Sequence, residues 1–223
     1  MCQQETVGAA EMINMMRLRG TRMRREPYAV AIVDGLLDEP GAGTLCREFP
    51  TEGFRLDAKS GTGAEKRYRS YNLGVMAHGR PQHPAWDRLS PAWREFVEDL
   101  TAAPYRAALG AATGTDLAGC EAEVRLCRYE AGCWIDPHTD RPDKRLTQII
   151  YLNPEWNPDW GGNLLILRSR DARDVATTVA PRLGTSVLLR PSGSSWHAVQ
   201  PVVEHVRVTR RSVLLHFAAT GEP

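Results

Sequence analysis

Three side chains of metal-binding types lie at positions from which they can converge. His138 and Asp140 are two residues apart in the stretch CWIDPHTDRPDKRLTQIIYLN, and His197 lies far along the chain in SSWHAVQPV. Residues i and i+2 of a strand point to the same face, so the first two can aim at one point while His197 approaches from another predicted strand. Two imidazoles and one carboxylate leave three positions of an octahedral metal open, which suits non-haem Fe(II). The pattern therefore predicts an iron centre at these three residues.

A closed structural zinc site is the alternative for the same side chains. Such a site needs a fourth protein ligand, preferably a cysteine. Cys127 and Cys133 precede His138, but they lack the spacing of zinc ligands. The open iron site is therefore favoured.

An arginine inside a predicted apolar strand indicates a second part of the site. Iron held in this way often works with 2-oxoglutarate, whose far carboxylate needs a cation. In the stretch RVTRRSVLLHF, Arg210 and Ser212 share one face of the strand, whereas Arg211 lies on the other. Because a buried arginine is costly unless it is paired, we predict that Arg210 binds this carboxylate, with Arg207 as its rival. Tyr151, on the strand after the H-x-D pair, is predicted to place its hydroxyl beside the same group.

Turn residues in the second half of the chain predict the elements that carry these side chains. After Gly119, short runs of strand-forming residues alternate with breaks such as Asn-Pro and Gly-Gly. Eight strands are typical of a jelly roll, so we predict a mainly β fold with flanking helices: a double-stranded β-helix, cupin-like, on an N-terminal α/β buttress. The predicted strands are 121–129, 134–139, 145–152, 162–168, 174–180, 185–190, 195–202 and 206–219.

The first half of the chain is predicted to form the buttress. Its predicted elements are a helix at 9–19, a strand at 27–38, a helix at 41–48, a mobile glycine-rich loop at 57–66, a polar strand at 67–74 and two helices within 84–112. The two helices are separated because Pro104 would interrupt a single one. We expect a single domain over 1–223, made of an N-terminal helix and basic arm (1–26), the buttress (27–119) and the jelly-roll core (120–219).

Composition excludes several classes of protein. The net charge of +1 gives no field that would attract nucleic acid or a membrane, and no run of residues is apolar enough to span a bilayer. The five cysteines lack CxxC spacing and are odd in number, which favours free thiols in a reducing compartment. With no signal peptide evident at the N-terminus, we expect a cytoplasmic protein.

Six motifs together resemble the Fe(II)/2-oxoglutarate-dependent oxygenases, in particular their prolyl-hydroxylase-like branch. In chain order they are CRYEAG, PHTD, TQIIYLNPEW, GGNLLIL, WHAVQPV and RRSVLLHF. The resemblance implies that His138, Asp140 and His197 bind iron. It also implies that Arg210 binds 2-oxoglutarate with help from Tyr151, that Tyr129 lines the cosubstrate pocket, and that ascorbate supports turnover. The interval from His197 to Arg210 is longer than is usual in this branch, so Arg207 remains the rival.

The resemblance implies a dioxygenase that hydroxylates an unactivated C–H bond, with dioxygen as a substrate and succinate and CO2 as products. Cyclisation, desaturation or epimerisation can follow the same first step. The alternatives are a non-catalytic jelly roll that senses 2-oxoglutarate or a metal, and an oxygenase recruited to nucleic acid through the basic cluster at 17–25. The near-zero net charge weighs against the last of these.

The substrate is indicated less directly. We expect a small molecule, an amino acid or a peptidyl substrate with an anionic group, because cations such as Lys66 and Arg69 lie in a segment that the resemblance places over the site. Arg69 and Tyr71, with Trp134 and Trp196 beside the iron ligands, are the predicted substrate contacts. A solvated edge strand and core packing are the alternative interpretations of these residues. His216 shares the face of Arg210 and is interpreted as a core histidine.

Overall fold

Antiparallel strands dominate the fold in this computed structural model, which describes residues 12–61 and 66–220. The strands are β1 (Val30–Val33), β2 (Arg55–Lys59), β3 (Tyr68–Ala77), β4 (Arg80–Pro81), β5 (Glu121–Tyr129), β6 (Trp134–His138), β7 (Lys144–Tyr151), β8 (Leu164–Leu167), β9 (Val175–Val179), β10 (Ser186–Leu189), β11 (His197–Val199) and β12 (Arg210–Ala218). The helices are α1 (Met15–Arg19), α2 (Glu39–Arg47), α3 (Pro91–Thr101) and α4 (Ala103–Thr113), with 3₁₀ turns at Trp86–Arg88 and Pro158–Trp160.

The last eight strands form two facing groups. Strands β10, β7, β12 and β5 lie side by side, extended by β1 at one edge and β3 at the other, and β6, β11, β8 and β9 form the second group. Pairing between β3 and β6 joins the groups, so the sheet curls into a half-barrel. This is the order of a double-stranded β-helix, and it confirms the predicted fold class.

Alternation of side chains on β5, β7 and β12 gives the main sheet two different faces. On β5, Ala122, Val124 and Leu126 belong to the core beneath the helices, whereas Cys127 and Tyr129 belong to the interior of the roll. Strands β7 and β12 alternate in the same way. One face of the sheet is therefore a dry core, and the other is free to carry polar groups.

Helices α3 and α4 cover the apolar face. Helix α3 begins at the Ser90 cap, whose hydroxyl accepts the Trp93 backbone N–H, and has Pro91 in its first turn. It buries Trp93, Phe96, Val97 and Leu100. As predicted from Pro104, a separate helix follows, and it ends at Gly114 in the left-handed conformation.

Three elements of the N-terminal half differ from their predictions. The strand expected at 27–38 covers only Val30–Val33. The helix expected at 9–19 covers only Met15–Arg19 of the described residues, and residues 9–11 lie outside them. The segment 57–66 was predicted to be a mobile loop, but its first three residues complete β2, which pairs with β3 from Arg55 to Lys59. Backbone hydrogen bonds to β3 hold this segment in spite of its polar, exposed side chains.

No helix in the described part of the chain is long and apolar enough to cross a membrane.

Trp93 should contribute strongly to stability. Its side chain is fully buried, its indole N–H donates to the Leu45 carbonyl at 3.2 Å, and its ring makes edge contacts with Phe49 and Phe96. We expect Trp93→Ala to lower the free energy of unfolding by about 3–5 kcal/mol, measured by denaturant unfolding. Met16→Ala is the control, since that side chain is 79% exposed, and should change it by less than about 0.5 kcal/mol. Equal effects of the two substitutions would contradict the assignment of the core.

Candidate metal and cosubstrate site

A cavity of about 390 Å³ opens on the polar face of the main sheet. Strands β5, β7 and β12 supply its floor, the β2–β3 hairpin one wall, and β6, β8 and β11 the facing wall. His138, Asp140, His197 and Arg210 all line it. The fold therefore brings together the four side chains that the sequence singled out for iron and 2-oxoglutarate.

His138, Asp140 and His197 form a compact cluster of metal-binding atoms. His138 ends β6 and pairs directly with His197, which begins β11, and their ring centroids are 4.2 Å apart. Asp140 lies two residues beyond the end of β6. One ligand atom from each residue lies within 4.8 Å of the other two. Within the described residues no cysteine joins this cluster, so the donor set fits an open metal site rather than a closed zinc site.

Backbone carbonyls fix the tautomers of both imidazoles. Nδ1 of His138 lies 2.9 Å from the Asp136 carbonyl oxygen, and Nδ1 of His197 lies 2.9 Å from the Ser195 carbonyl oxygen. Because a carbonyl only accepts, each Nδ1 carries the proton and each Nε2 keeps a free lone pair. This is how metal-binding histidines are normally oriented.

The charge states of the cluster also suit a cation. Burial lowers the pKa of His138, helped by the neighbouring His197 and Lys66, and burial likewise lowers the pKa of His197. Burial alone would raise the pKa of Asp140, but His197 and Lys144 outweigh it and hold that pKa well below its usual range. Two neutral imidazoles and one carboxylate are the protonation states that metal ligation requires.

A ring of hydrogen bonds holds the carboxylate of Asp140. Lys144 Nζ donates to Asp140 Oδ1 at 3.2 Å and lies 2.9 Å from His216 Nε2. The ammonium can only donate, so His216 is neutral and carries its proton on Nδ1, which lies 2.9 Å from the Thr147 hydroxyl. Thr147 in turn donates to Asp140 Oδ2 at 2.7 Å and closes the ring. Lys144 donates to two acceptors, and His216 and Thr147 donate to one each, so both carboxylate oxygens of Asp140 are held in one orientation.

Arg210 is a buried cation at the other end of the cavity. It is 2% exposed, its Nε donates to the Gly162 carbonyl at 2.7 Å, and its Nη1 donates to the Ser212 hydroxyl at 3.3 Å. The rings of Tyr129 and Tyr151 lie 4.5 and 5.0 Å from its guanidinium carbon. No ion pair joins Arg210 to a carboxylate anywhere in the described residues, so its charge is uncompensated by the protein.

Tyr151 is an orphaned polar group beside this guanidinium. The side chain is fully buried, and among the described residues its hydroxyl has no hydrogen-bond partner of good geometry, although it lies close to Arg210. Burial raises its pKa while the charge of Arg210 lowers it, and the net direction is upward, so the hydroxyl keeps its proton. A neutral donor and a guanidinium side by side match the far carboxylate of a bound dicarboxylate.

Two consecutive glycines allow the backbone to lie close against the side chain of Arg210. Gly162 has φ +64°, and a Cβ there would lie 3.2 Å from Arg210 Cδ and 3.0 Å from the Trp156 ring. At Gly161, with φ +69°, a Cβ would lie 2.0 Å from the Pro201 carbonyl oxygen. This explains the GGNLLIL motif, because a larger residue at either position would disrupt the turn that presents the acceptor for Arg210.

The two rival arginines are placed elsewhere. Arg207 is exposed in the loop before β12. Arg211 lies on the opposite face of β12, where its guanidinium contacts the Phe49 ring and the Cys46 carbonyl. Of the three, only Arg210 lines the cavity.

The four predicted substrate contacts do not line the cavity. On β3, Tyr68 pairs with Ile135 and both line it, whereas Arg69 pairs with Trp134 on the other face. Tyr71 shares the face of Arg69 by alternation, and Trp196 packs in a small cluster with Leu165 and Leu167. The face of β3 that does reach the cavity carries Tyr68, Ser70 and Asn72.

The sequence analysis missed several polar residues of the site. Lys144 and Thr147 were not assigned a role, and His216 was interpreted as a core histidine, although it is both buried and part of the wall. Thr147 and His216 share faces with Tyr151 and Arg210, so period-two alternation was a usable signal. Lys144 gave no such signal, because its partner is brought close only by the turn after β6.

Comparison with known proteins agrees with this geometry. Residues 124–218 match the family model described as the 2OG-Fe(II) oxygenase superfamily. The matched segment, somewhat less than half of the chain, contains all three residues of the metal-binding cluster and Arg210. The protein is a 2-oxoglutarate-dependent dioxygenase, and the cofactors of the matched family are Fe(II) and 2-oxoglutarate.

Solved structures of similar fold cover most of this oxygenase. A prolyl-4-hydroxylase from Pseudomonas putida is 22% identical with a TM-score of 0.60, over 86% of this chain and 93% of that one. A 2OG-Fe(II) oxygenase family oxidoreductase from Burkholderia pseudomallei is 17% identical with a TM-score of 0.63, over 92% and 91%. A prolyl hydroxylase from Trichoplax adhaerens, in complex with a hypoxia inducible factor peptide, is 16% identical with a TM-score of 0.55, over 93% and 87%. No curated protein matches the chain by sequence.

Thr147 should control the metal affinity of the cluster. Thr147→Val keeps the shape but removes the hydroxyl that orients Asp140 and accepts from His216, so we expect Mn(II) or Co(II) affinity to fall about 10- to 100-fold in a direct titration. Thr147→Ser should restore most of it. Thr178→Val, at an exposed position of β9, is the control and should bind metal as the wild type does. Unchanged affinity in Thr147→Val would show that the ring does not position the carboxylate.

Proposed function

We propose that this oxygenase hydroxylates an unactivated C–H bond of a small molecule, an amino acid or a peptidyl substrate, with release of succinate and CO2. One observation carries the proposal: a cavity joins a cluster of two neutral histidines and a carboxylate to a buried arginine that has no anionic partner among residues 12–61 and 66–220. A scaffold or sensor has no need of an open metal position beside a cosubstrate site.

In this proposal His138, Asp140 and His197 are the iron ligands. Each imidazole offers Nε2, because its Nδ1–H is held by a backbone carbonyl. Asp140 is restrained through both oxygens by Lys144 and Thr147. Three protein ligands leave room on the metal for a chelating cosubstrate and dioxygen.

Arg210 is the proposed partner of the far carboxylate of 2-oxoglutarate. The guanidinium is oriented by Gly162 and Ser212, and two tyrosine rings flank it. The orphaned hydroxyl of Tyr151 would add a second donor, and Tyr129 would line the cosubstrate's path. Pairing with a dicarboxylate would compensate a charge that the protein leaves buried and alone.

With both cofactors bound, the site supplies dioxygen activation: oxidative decarboxylation of 2-oxoglutarate to succinate and CO2, with one oxygen atom passed to the C–H bond. The chain's own residues position the iron ligands and keep water away from the reaction. Ile135, Leu164 and Val199 line the cavity beside the histidines and exclude water from it. The rigid strands β6 and β11 keep both imidazoles in register.

The structural relatives named prolyl hydroxylases, one of them in complex with a peptide, motivate amino-acid and peptidyl substrates for this chain. The cations that line the cavity favour a substrate with an anionic group.

We also propose a cytoplasmic location, which is supported by four described cysteines that are all free thiols.

Arg210 should determine the affinity for 2-oxoglutarate. Arg210→Met removes the buried charge but keeps an apolar side chain of similar length, so we expect a loss of about 2–5 kcal/mol of binding free energy, which is roughly 30-fold or more in Kd. Calorimetric titration of the Mn(II)-loaded protein with 2-oxoglutarate measures it. Arg207→Met is the matched control and should bind normally. If Arg207→Met loses affinity instead, the cosubstrate lies elsewhere.

Turnover should depend on the histidine–aspartate cluster. We expect His138→Ala to abolish succinate formation from 2-oxoglutarate in the presence of Fe(II) and dioxygen, because one of three ligands is lost. His205→Ala, at an exposed position in the loop before β12, should retain full activity. Succinate formation that survives in His138→Ala, or in wild-type protein stripped of iron, is incompatible with the proposed mechanism.

A further inference from the structure

The cavity has a second group of charged residues, away from Arg210. Five cations line it, together with only two carboxylates. The cations are Arg55, Lys66, Arg125, Lys144 and Arg210, and the carboxylates are Asp57 and Asp140. If Arg210 binds the cosubstrate, the positive charges of the other lining residues still need a partner.

Both lining carboxylates already have partners. Asp57 accepts from Arg55 at 3.0 Å through one oxygen and from Asn72 at 3.0 Å through the other. Asp140 accepts from Lys144 and Thr147. The charges of Arg55 and Lys144 are therefore matched by lining carboxylates, whereas Lys66 has no ion-pair partner in the described residues and Arg125 is paired only with Glu123, which does not line the cavity.

Among the lining cations other than Arg210, Lys66 alone has no carboxylate partner in the described residues. It is half-buried, and its ammonium lies 5.7 Å from the centroid of the Tyr68 ring, a weak favourable contact. It makes no ion pair with any carboxylate in the described residues. Burial lowers the pKa of Lys66 to about 8, opposed by Asp140 and reinforced by Lys144 and Arg125. These groups are thus close enough to act on one another.

Arg125 lies on the floor of the same part of the cavity. It is on β5, opposite Leu214 of β12, and one Nη donates to Glu123 at 3.2 Å. Glu123 lies two residues earlier on the same face of β5 and is not part of the cavity lining, so it pairs with the guanidinium from outside the cavity. The remaining N–H groups of Arg125 stay free to meet a ligand.

We propose that Lys66 and Arg125 form a subsite for the carboxylate of a small free acid, which holds the substrate with its C–H bond towards the histidine–aspartate cluster. The inference rests on the proposed function and names its substrate class. A terminal carboxylate would satisfy both cations at once, whereas the interior of a peptide offers only neutral amides. A phosphate would offer the same chemistry, and the experiment separates the two.

The proposal moves the substrate contacts to the other face of β3. The sequence favoured Arg69, an exposed cation on the face turned away from the cavity. Lys66 precedes the strand and reaches the cavity. Variants of these two residues therefore discriminate between the two assignments.

Substrate binding tests the proposal directly. Wild-type protein loaded with Mn(II) and 2-oxoglutarate is titrated, without oxygen, with a panel of the free L-amino acids, short carboxylic and hydroxycarboxylic acids, their matched amides, and the corresponding phosphate monoesters. The readouts are thermal stabilisation and, with Fe(II) and dioxygen, stimulated succinate release. We expect at least one free acid to bind and stimulate, and its amide to bind on the order of tenfold or more weakly.

Variants then locate the carboxylate. Lys66→Met and Arg125→Met should each weaken binding of that acid on the order of tenfold, with the Kd for 2-oxoglutarate changed less than about twofold. Lys59→Met, an exposed lysine of β2 outside the cavity, should bind as the wild type does. Arg69→Met should also leave acid binding unchanged, and a loss in that variant alone would overturn the proposal.

Stability of the protein without ligands supplies an independent readout. Lys66→Met removes a half-buried charge that has no ion-pair partner in the described residues, so the melting temperature of the variant at neutral pH should equal or exceed that of the wild type. A marked fall would mean that Lys66 has a structural role and would overturn its assignment to the substrate.

Each remaining outcome has a definite meaning. Amides that bind as well as the acids, phosphate esters preferred to carboxylates, or no binding by any free acid would each overturn the carboxylate subsite. Failure of 2-oxoglutarate to bind the wild type would instead refute the proposed function, so the two failures are distinguishable.

Discussion

Alternation of side chains on three adjacent strands, β5, β7 and β12, separates a dry core from a polar cavity, and the site depends on this separation. The residues that face helices α3 and α4 are almost all apolar, and they hold the sheet to its buttress. The residues that face the cavity include an arginine, a threonine and a histidine, each of which needs a defined partner. Because the two sets occupy opposite faces, the polar groups are placed without opening the core to water.

The buried charges of the cavity form a balanced set only when ligands are counted. Asp140 is matched by Lys144, and Asp57 by Arg55, so the protein compensates the charges that it needs for its own architecture. Within the described residues, Arg210 and Lys66 have no ion-pair partner, and the two Nε2 atoms of the cluster keep their lone pairs free for a ligand. Unmatched groups of this kind cost stability in the free protein, and they are expected at binding sites, where the ligand provides the compensation.

Much of this arrangement could be predicted from sequence, because strand period and motif spacing are local. The eight strands after Gly119 were predicted close to their observed bounds, and period two placed Arg210 and Ser212 on the cavity face. The predicted contacts of β3 rested on the resemblance and not on this rule, and they do not line the cavity, since the face that β3 turns towards it is set by the pairing of Tyr68 with Ile135 of β6. A partner strand more than sixty residues away decides which face of this polar strand is turned towards the cavity, and no local pattern in the sequence reveals it. The contact between Lys144 and His216 is non-local for the same reason.

The glycine pair at 161–162 divides the pocket into a part that tolerates change and a part that does not. A single methyl group on either glycine would meet backbone or the stem of Arg210, so the cosubstrate end is closed to remodelling. The hairpin of β2 and β3 forms another wall of the cavity, and its positions at Arg55 and Lys59 are exposed. A library intended to alter which molecules this oxygenase accepts therefore belongs on the hairpin, where variation can reshape the entrance and leave the oxidising machinery intact.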